Sequence, residues 1–460
     1  MLAESQAPLA TVFVKVIIMS KIIVRCFVLL AAAVLVGCAQ PSAEQPASDA
    51  FVTVKGQQFY LGGKPYHYVG ANMWYGAYLG SPGVTGDRER LTRELDLLVE
   101  HGITNLRVLA VSETSDLMRA VRPAVLQNTQ GELDTDLLRG MDFLLAEMAK
   151  RDMKAVLYLN NFWQWSGGMS QYVAWFTGTE VLDPDVTGKW NPFMENSARF
   201  YRLEEAQTLY RNVIRTLVTR TNSITGTVYS NDPTIMSWQL ANEPRPGSDA
   251  DGRAHFDDFS RWVDETAGFI KELAPHQLIS TGNEGAMGTL GDAELFERSH
   301  ASPNVDYLTF HMWIKNWGWF DITQPEETYS SAVTTAKQYM SEHVAIAERL
   351  NKPIVLEEFG VERNGGAFDH GTPVSYRDSF YAMVYSVIEN NAAAGGPFVG
   401  SNFWAWGGFG MTDREDYMWQ EGDDFFGDPP QEAQGLNSVF ADDESTLKVI
   451  AQHAQHLKSL

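Results

Sequence analysis

Cysteine is almost missing from this sequence: only Cys26 and Cys38 occur in 460 residues, both near the N-terminus. The chain beyond them therefore folds without disulfides. Basic side chains are also in deficit, with 35 Lys and Arg against 58 Asp and Glu, a net charge of −23. So acidic a surface repels phosphate backbones and excludes nucleic acid as a natural partner. Long apolar runs are absent too, which excludes a multi-span membrane protein. What is plentiful is aromatic: 12% of the chain, including 13 Trp. The hydrophobic share of 44% is that of an ordinary globular protein. The length suits one large barrel or two mid-sized units.

The N-terminus reads as an export signal. Met19, which reads as the natural start, opens a short basic stretch with Lys21 and Arg25, and an apolar run from Phe27 to Val36 follows. That run is too short to be a spanning helix, and small residues end it, as in a secretory signal. Cys38 directly follows Leu35-Val36-Gly37. This resembles a bacterial lipobox, which implies removal of residues 1–37 and lipidation of Cys38 as the only membrane attachment. Ala39 after the cysteine implies, by resemblance to lipoprotein sorting rules, the outer membrane of a Gram-negative cell, with periplasmic or secreted protein as the alternative. Residues 38–50, rich in Pro, Ser and Ala, read as a tether. Removing the basic signal leaves the mature chain more acidic still.

From Phe51 to Leu460 no second composition shift, repeat or linker appears, so one domain is expected. Phe51–Tyr60 reads as a hairpin capping it. Apolar strands then alternate with amphipathic helices. The strands are expected at Tyr66–Asn72, Thr104–Ala110, Lys154–Asn160, Ile235–Asn242, Leu278–Gly282, Tyr307–Met312, Ile354–Phe359 and Ser401–Trp406. Helical periodicity marks Arg88–Glu100, Leu137–Lys150, Tyr201–Val218, Phe256–Leu273, Ala332–Arg349 and Tyr376–Glu389. Such alternation predicts an α/β fold, a (β/α)8 TIM barrel with long loop insertions. A doubly wound open sheet is the runner-up, but no Gly-x-Gly-x-x-Gly opens a helix after the first strand, which argues against its dinucleotide-binding version.

Barrel enzymes place their chemistry at the C-terminal ends of the strands. The fourth strand ends in Asn242-Glu243-Pro244-Arg245 and the seventh in Glu357-Glu358-Phe359-Gly360. Retaining hydrolysis of a glycosidic bond needs two carboxylates about 5 Å apart, one to protonate the leaving oxygen and one to attack the anomeric carbon. At these residues the chain resembles glycoside hydrolase family 5, within the retaining clan of (β/α)8 hydrolases, over essentially all of Phe51–Leu460. The resemblance implies that Glu243 is the general acid/base and Glu358 the nucleophile. Glu357 competes for the second role. Strand neighbours face opposite sides, and the family's nucleophile stands directly before the aromatic-Gly pair, which selects Glu358. Asn242 is implied to bind the sugar 2-hydroxyl, and Arg107, in Asn105-Leu-Arg-Val, to sit beneath the nucleophile as its counter-charge.

His311, in Thr309-Phe-His-Met-Trp313, matches the family's active-site histidine. The family usually carries Tyr where this chain has Trp313, which removes a phenolic donor to the nucleophile, although an indole N–H can still donate. The spacing of a catalytic zinc site does not occur, so neither metal nor cofactor is expected. Trp74, Trp163, Trp165, Trp313, Trp317, Trp319, Trp404 and Trp406 fall at strand ends, where indole faces can stack on sugar rings. Trp406 also suits barrel-top packing. Trp404 matches the family's sugar platform, and Trp74, Trp163 and Trp313 are candidate substrate contacts. The segments around Trp163, Trp313 and Trp404 most resemble the mannan-degrading subfamily, which implies β-1,4-linked mannan or manno-oligosaccharides as substrate.

Between Trp406 and a last helix near Thr446 runs a long aperiodic connection, the kind that is usually functional or disordered. It carries Tyr417, Trp419, Phe425 and Phe426 among many acids. Folded over one end of the cleft, it would make a pocket and an exo-acting β-mannosidase, which the resemblance also favours. An open cleft would make an endo-β-1,4-mannanase. The acids lack EF-hand spacing and read as a solvated loop rather than a Ca²⁺ site. A β-1,4-glucanase and a non-catalytic glycan-binding lipoprotein are the remaining readings. The chain is expected to act as a monomer.

Overall fold

A computed structural model of the chain describes residues 50–460. The signal, the lipid anchor at Cys38 and the tether read from the sequence lie outside these residues, apart from Ala50.

Eight parallel strands form the centre: β1 (Tyr68–Asn72), β2 (Asn105–Leu109), β3 (Lys154–Tyr158), β4 (Ile235–Gln239), β5 (Leu278–Ser280), β6 (Leu308–Met312), β7 (Ile354–Phe359) and β8 (Phe398–Phe403). Ladder pairing runs β5-β4-β3-β2-β1-β8-β7-β6. This is chain order around a ring, and it rules out the doubly wound sheet, whose strand order reverses. The seam between β5 and β6 is closed by backbone bonds at two points, Asp306 N–H to Ile279 O at 2.8 Å and His311 N–H to Glu284 O at 3.2 Å. The Asp306 side chain reinforces it by accepting from Ile279 N–H at 2.7 Å.

Each strand leads to a helix on the outside: α1 (Arg88–Glu100), α2 (Thr135–Ala149), α3 (Glu204–Val218), α4 (Phe256–Leu273), α5 (Ala293–His300), α6 (Pro325–Leu350), α7 (Ser375–Ala393) and α8 (Glu444–Leu457). Local chemistry explains where they start. Asp87 caps α1 by accepting from Arg90 N–H, and Asp134 caps α2 by accepting from Leu137 N–H. Leu91, Leu95 and Leu98 then line the buried face of α1 at helical spacing.

The expected hairpin is a three-stranded antiparallel sheet, Thr53–Lys55, Gln58–Leu61 and Lys64–Pro65. Its Val52 and Phe59 pack with Tyr68, Met236, Leu278, Tyr307, Val355 and Val399, residues at the N-terminal ends of the strands. It therefore seals the barrel bottom and leaves the opposite end for chemistry.

The eighth strand departs from the reading. It begins at Phe398 rather than Ser401 and stops at Phe403, so Trp404 and Trp406 lie beyond its ladder. Gly400, ordinarily a weak strand residue, is required inside it, because a Cβ there would come within 2.7 Å of the Tyr68 ring.

Candidate active site

The interior just below the barrel mouth is polar. Arg107 on β2 is fully buried and spreads its guanidinium across four side chains. Its Nε donates to Gln239 at 2.7 Å and its Nη2 to Asn242 at 2.7 Å. Nη1 donates to Asn72 at 3.1 Å and to Glu358 Oε1 at 2.5 Å. A rigid fork of donors suits this task, since it fixes four strands to one another and presents a cation under a carboxylate.

Glu357 and Glu358 do not obey simple alternation. The β6–β7 register slips here: Phe310 pairs with Leu356 but His311 pairs with Glu358, leaving Glu357 unmatched. Through this bulge both side chains point toward Arg107. Glu357 lies deeper, fully buried, accepting from Gln239 at 2.7 Å, and is not part of the cleft wall. Burial pushes its carboxyl above the usual range despite the nearby Arg107. Glu358 alone of the two opens into the cleft. Depth, not facing, separates the two acids, which corrects the alternation argument.

Glu243 follows β4 with φ of 50°, a left-handed conformation uncommon for a residue with a side chain. Its N–H is held by Gly282 O at 2.9 Å. Gly282 must be glycine, since a Cβ would come 1.9 Å from Ala241 O. This turn aims the Glu243 carboxylate back across the barrel mouth. One of its oxygens accepts from His311 Nδ1 at 2.6 Å, the other from the Trp163 indole N–H. The same Nδ1 is 3.3 Å from Glu358 Oε2. One donor atom from each of Glu243, His311 and Glu358 fall within 4.8 Å of one another. His311 thus bonds Glu243, and Glu358 bonds the Arg107 cation.

The electrostatics follow from burial and partners. Burial raises Glu243, but the His311 bond and charge, with Arg245 and Trp163, outweigh it and hold the carboxyl well below its ordinary value. Burial lowers His311, but Glu358 and Glu243 together push it up to about 9.

Above these groups lies a cleft of 660 Å³. Of the expected contacts, Trp163, Trp313, Trp404, Asn242, Glu243 and Glu358 line it. Arg107 and His311 sit beneath, fully buried. Trp313 meets Trp404 edge-on, with ring centres 6.0 Å apart. Asn242 is held by Arg107 and by donation to Asn161 at 3.2 Å. Trp74 is the exception among the candidates. It is buried outside the cleft, its N–H shared by Phe426 O and Gly427 O, and its ring packs on Trp165 and Phe425. Trp74 is thus a packing residue, because the loop after β8 covers it. Trp406 is likewise fully buried and donates to Glu94 at 3.1 Å.

That loop does not use its aromatic residues on the cleft. Trp419 and Phe425 stack on each other, and Phe425 seats against Tyr78 and Trp74. Pro429, Gln431 and Glu432 reach the cleft wall instead. Gln431 accepts from Gln164 at 3.4 Å, and Gln164 also donates to Asp185 at 2.7 Å, both from the connection after β3. The β8 loop therefore packs over Trp74 and Tyr78 after β1 and joins the β3 loop. Its acids are partly wired internally: Asp428 is buried and accepts from Gly435, Asn437 and Ser438.

Several cleft residues carry no sequence reading above. Arg245 forms a forked pair with Glu284, at 3.0 and 2.5 Å, and lies over the Trp163 ring at 5.0 Å. Glu284 follows β5 in Gly282-Asn283-Glu284, so the strand-end test applied to β4 and β7 would have found it. Trp190, which meets Trp163 edge-on, sits in an insertion between β3 and α3 where no periodicity points to the mouth.

A family model described as GH family 5 beta-mannosidase-like matches residues 49–460. Mannan endo-1,4-beta-mannosidase 7 of Arabidopsis thaliana is 29% identical over 443 residues, spanning 94% of this chain and 91% of that protein. The glycoside hydrolase family 5 mannosidase from Rhizomucor miehei is 36% identical with a TM-score of 0.82, covering 90% of this chain and 99% of that one. A point mutant of that mannosidase, solved in complex with mannosyl-fructose, gives 36% and 0.81, with 90% and 98% covered. A (β/α)8 barrel with paired strand-end carboxylates and a family match over nearly all the described residues lead to one assignment: the chain belongs to glycoside hydrolase family 5 and is a glycoside hydrolase.

Proposed function

We propose that this enzyme hydrolyses β-1,4-mannosidic bonds with retention and releases mannose from chain ends. The observation that carries the chemistry is the close approach of Glu243 and Glu358 on the cleft floor, near the spacing of about 5 Å that lets one carboxylate attack while the other protonates. Glu358 forms the bond to the anomeric carbon as Glu243 passes its proton to the departing glycosidic oxygen. Glu243 then takes a proton from water as the water oxygen displaces Glu358. Arg107 balances the nucleophile's charge, and Asn242 is placed for the sugar 2-hydroxyl. Mannan as substrate is supported by what the relatives are named for and by mannosyl-fructose in the Rhizomucor mannosidase.

Exo action is supported by the β8 loop, whose Pro429, Gln431 and Glu432 line the cleft and whose Gln431 accepts from Gln164 of the connection after β3. A time course on mannohexaose tests it: mannose alone among early products supports exo cleavage, and an early spread of mid-length products makes the enzyme an endo-mannanase. Cellohexaose in parallel tests the β-glucanase reading. We also propose that the mature protein is a monomer carried on a lipid at Cys38. Labelled palmitate should enter the wild type and not Cys38→Ser.

A further inference from the structure

Trp190 keeps 43% of its surface exposed, while every other tryptophan among the described residues is buried or half-buried. It opens the helix Trp190–Ala198, in the connection between β3 and α3, and forms part of the cleft wall. Buried contacts fix that helix in place. Phe193, one turn on, is fully buried and stacks on Trp163, with ring centres 6.0 Å apart and 11° between the planes. Met194, on the same helix face as Trp190, also lines the cleft and accepts from Arg245 Nη1 at 3.7 Å. The exposed indole is therefore held at a set position, edge-on to Trp163 with ring centres 6.0 Å apart.

The order of contacts across the mouth decides which part of a substrate meets this ring. One Glu243 oxygen accepts from His311, whose Nδ1 also lies 3.3 Å from Glu358; the other accepts from Trp163. Glu358, His311, Glu243, Trp163 and Trp190 thus follow one another. The sugar that is attacked sits over Glu358, and the oxygen that departs sits at Glu243. Trp163 and Trp190 therefore lie on the leaving-group side, successively farther from the bond that breaks. Two indoles in succession suit two pyranoses in succession, because a sugar ring offers an apolar C–H face that an aromatic surface can cover.

We propose that Trp190 is the platform for the second sugar of the leaving group, which makes mannotriose and longer chains better substrates than mannobiose. This rests on the exo-mannosidase reading above and adds to it a residue that selects chain length. Under exo cleavage, mannobiose fills the position over Glu358 and one leaving-group position at Trp163, and stops short of Trp190. The third sugar of mannotriose reaches it. Glu243 and Glu358 bond to Trp163, His311 and Arg107, not to Trp190. The Trp190 contact therefore strengthens binding equally before and during bond breaking.

The test compares mannose release from mannobiose and mannotriose by the wild type, Trp190→Ala and Trp190→Phe. Wild-type kcat/KM should be about tenfold higher on mannotriose. Trp190→Ala should remove most of that advantage: kcat/KM on mannotriose falls about tenfold, mainly through KM, and on mannobiose stays within about twofold. Trp190→Phe keeps an aromatic face and should retain at least about half of the advantage. Equal losses on both substrates would mean that Trp190 acts through Trp163 on Glu243, and would overturn the proposal. So would an unchanged rate on mannotriose in Trp190→Ala, or a wild type with no preference for it. A wild type that releases no mannose from either substrate would instead overturn the exo-mannosidase reading itself. If Trp190→Ala does not fold, Trp190→Leu, which removes the flat ring but keeps an apolar side chain, is read the same way.

Discussion

Glu357 and Glu358, adjacent on one strand, both face Arg107, at 3.7 and 2.5 Å. A one-residue slip between β6 and β7 makes this possible, and depth then divides the work. Glu358→Ala should lose at least about 10⁴-fold in kcat and keep affinity for manno-oligosaccharides by calorimetry. Glu357→Gln, which keeps the Gln239 contact, should stay within about threefold in kcat and cost roughly 1 kcal/mol of stability. The opposite pattern would exchange the two assignments.

Arg107 ties together β1, β2, β4 and β7 through Asn72, Gln239, Asn242 and Glu358. Lysine offers one point charge in place of this fork. Arg107→Lys should lose about 10²-fold in kcat, and its loss of stability by denaturant melting should approach about 3 kcal/mol, as expected when a buried charge network is broken. A variant with full stability but low activity would limit the role of Arg107 to its contact with Glu358.

Two tryptophans from strand-end positions should behave differently. Trp74→Ala removes a buried ring from under the β8 loop and should cost about 3–5 kcal/mol of stability, with KM on mannobiose little changed for whatever stays folded. Trp163→Ala removes a donor to Glu243 and the ring beneath Arg245, and should lower kcat by at least about tenfold with a smaller change in thermal midpoint.

Stability should follow the His311 titration. Its folded value, about 9, lies above the ordinary histidine value of about 6.5. The charged imidazole therefore stabilises the fold fully below about pH 6.5 and loses that contribution as pH rises through 9. The difference in thermal midpoint between wild type and His311→Gln should be largest near pH 6 and shrink by pH 10. A difference constant across that range would show that His311 is not charged in the folded protein.

Pro429, Gln431 and Glu432 supply the β8 loop's share of the cleft wall. Replacing Gln431 and Glu432 by Gly should open the wall and turn early products of mannohexaose from mannose toward mannobiose and mannotriose. An unchanged product pattern would place the end-selecting barrier elsewhere.

The barrel was legible in the chain because each βα unit carries its own periodicity and strands read this way close in chain order. Glu243 and Glu358 were legible because each stands where an apolar strand turns polar. The fate of Trp74 was not: its surroundings are set by Phe425 and Phe426, hundreds of residues downstream. The loop's aromatics misled for the same reason, since sequence shows that bulky side chains exist but not which surface they cover.

By itself, then, the sequence determined the alternation, the strand ends, the acidic surface and the two carboxylates, all properties of short segments whose hydrophobic pattern is local. Only the tertiary structure decided which acid is deep and which is open, which tryptophans meet the cleft, and that one histidine nitrogen faces both carboxylates. Those depend on a register slip of one residue and on contacts between distant loops, and neither leaves a trace in any single segment.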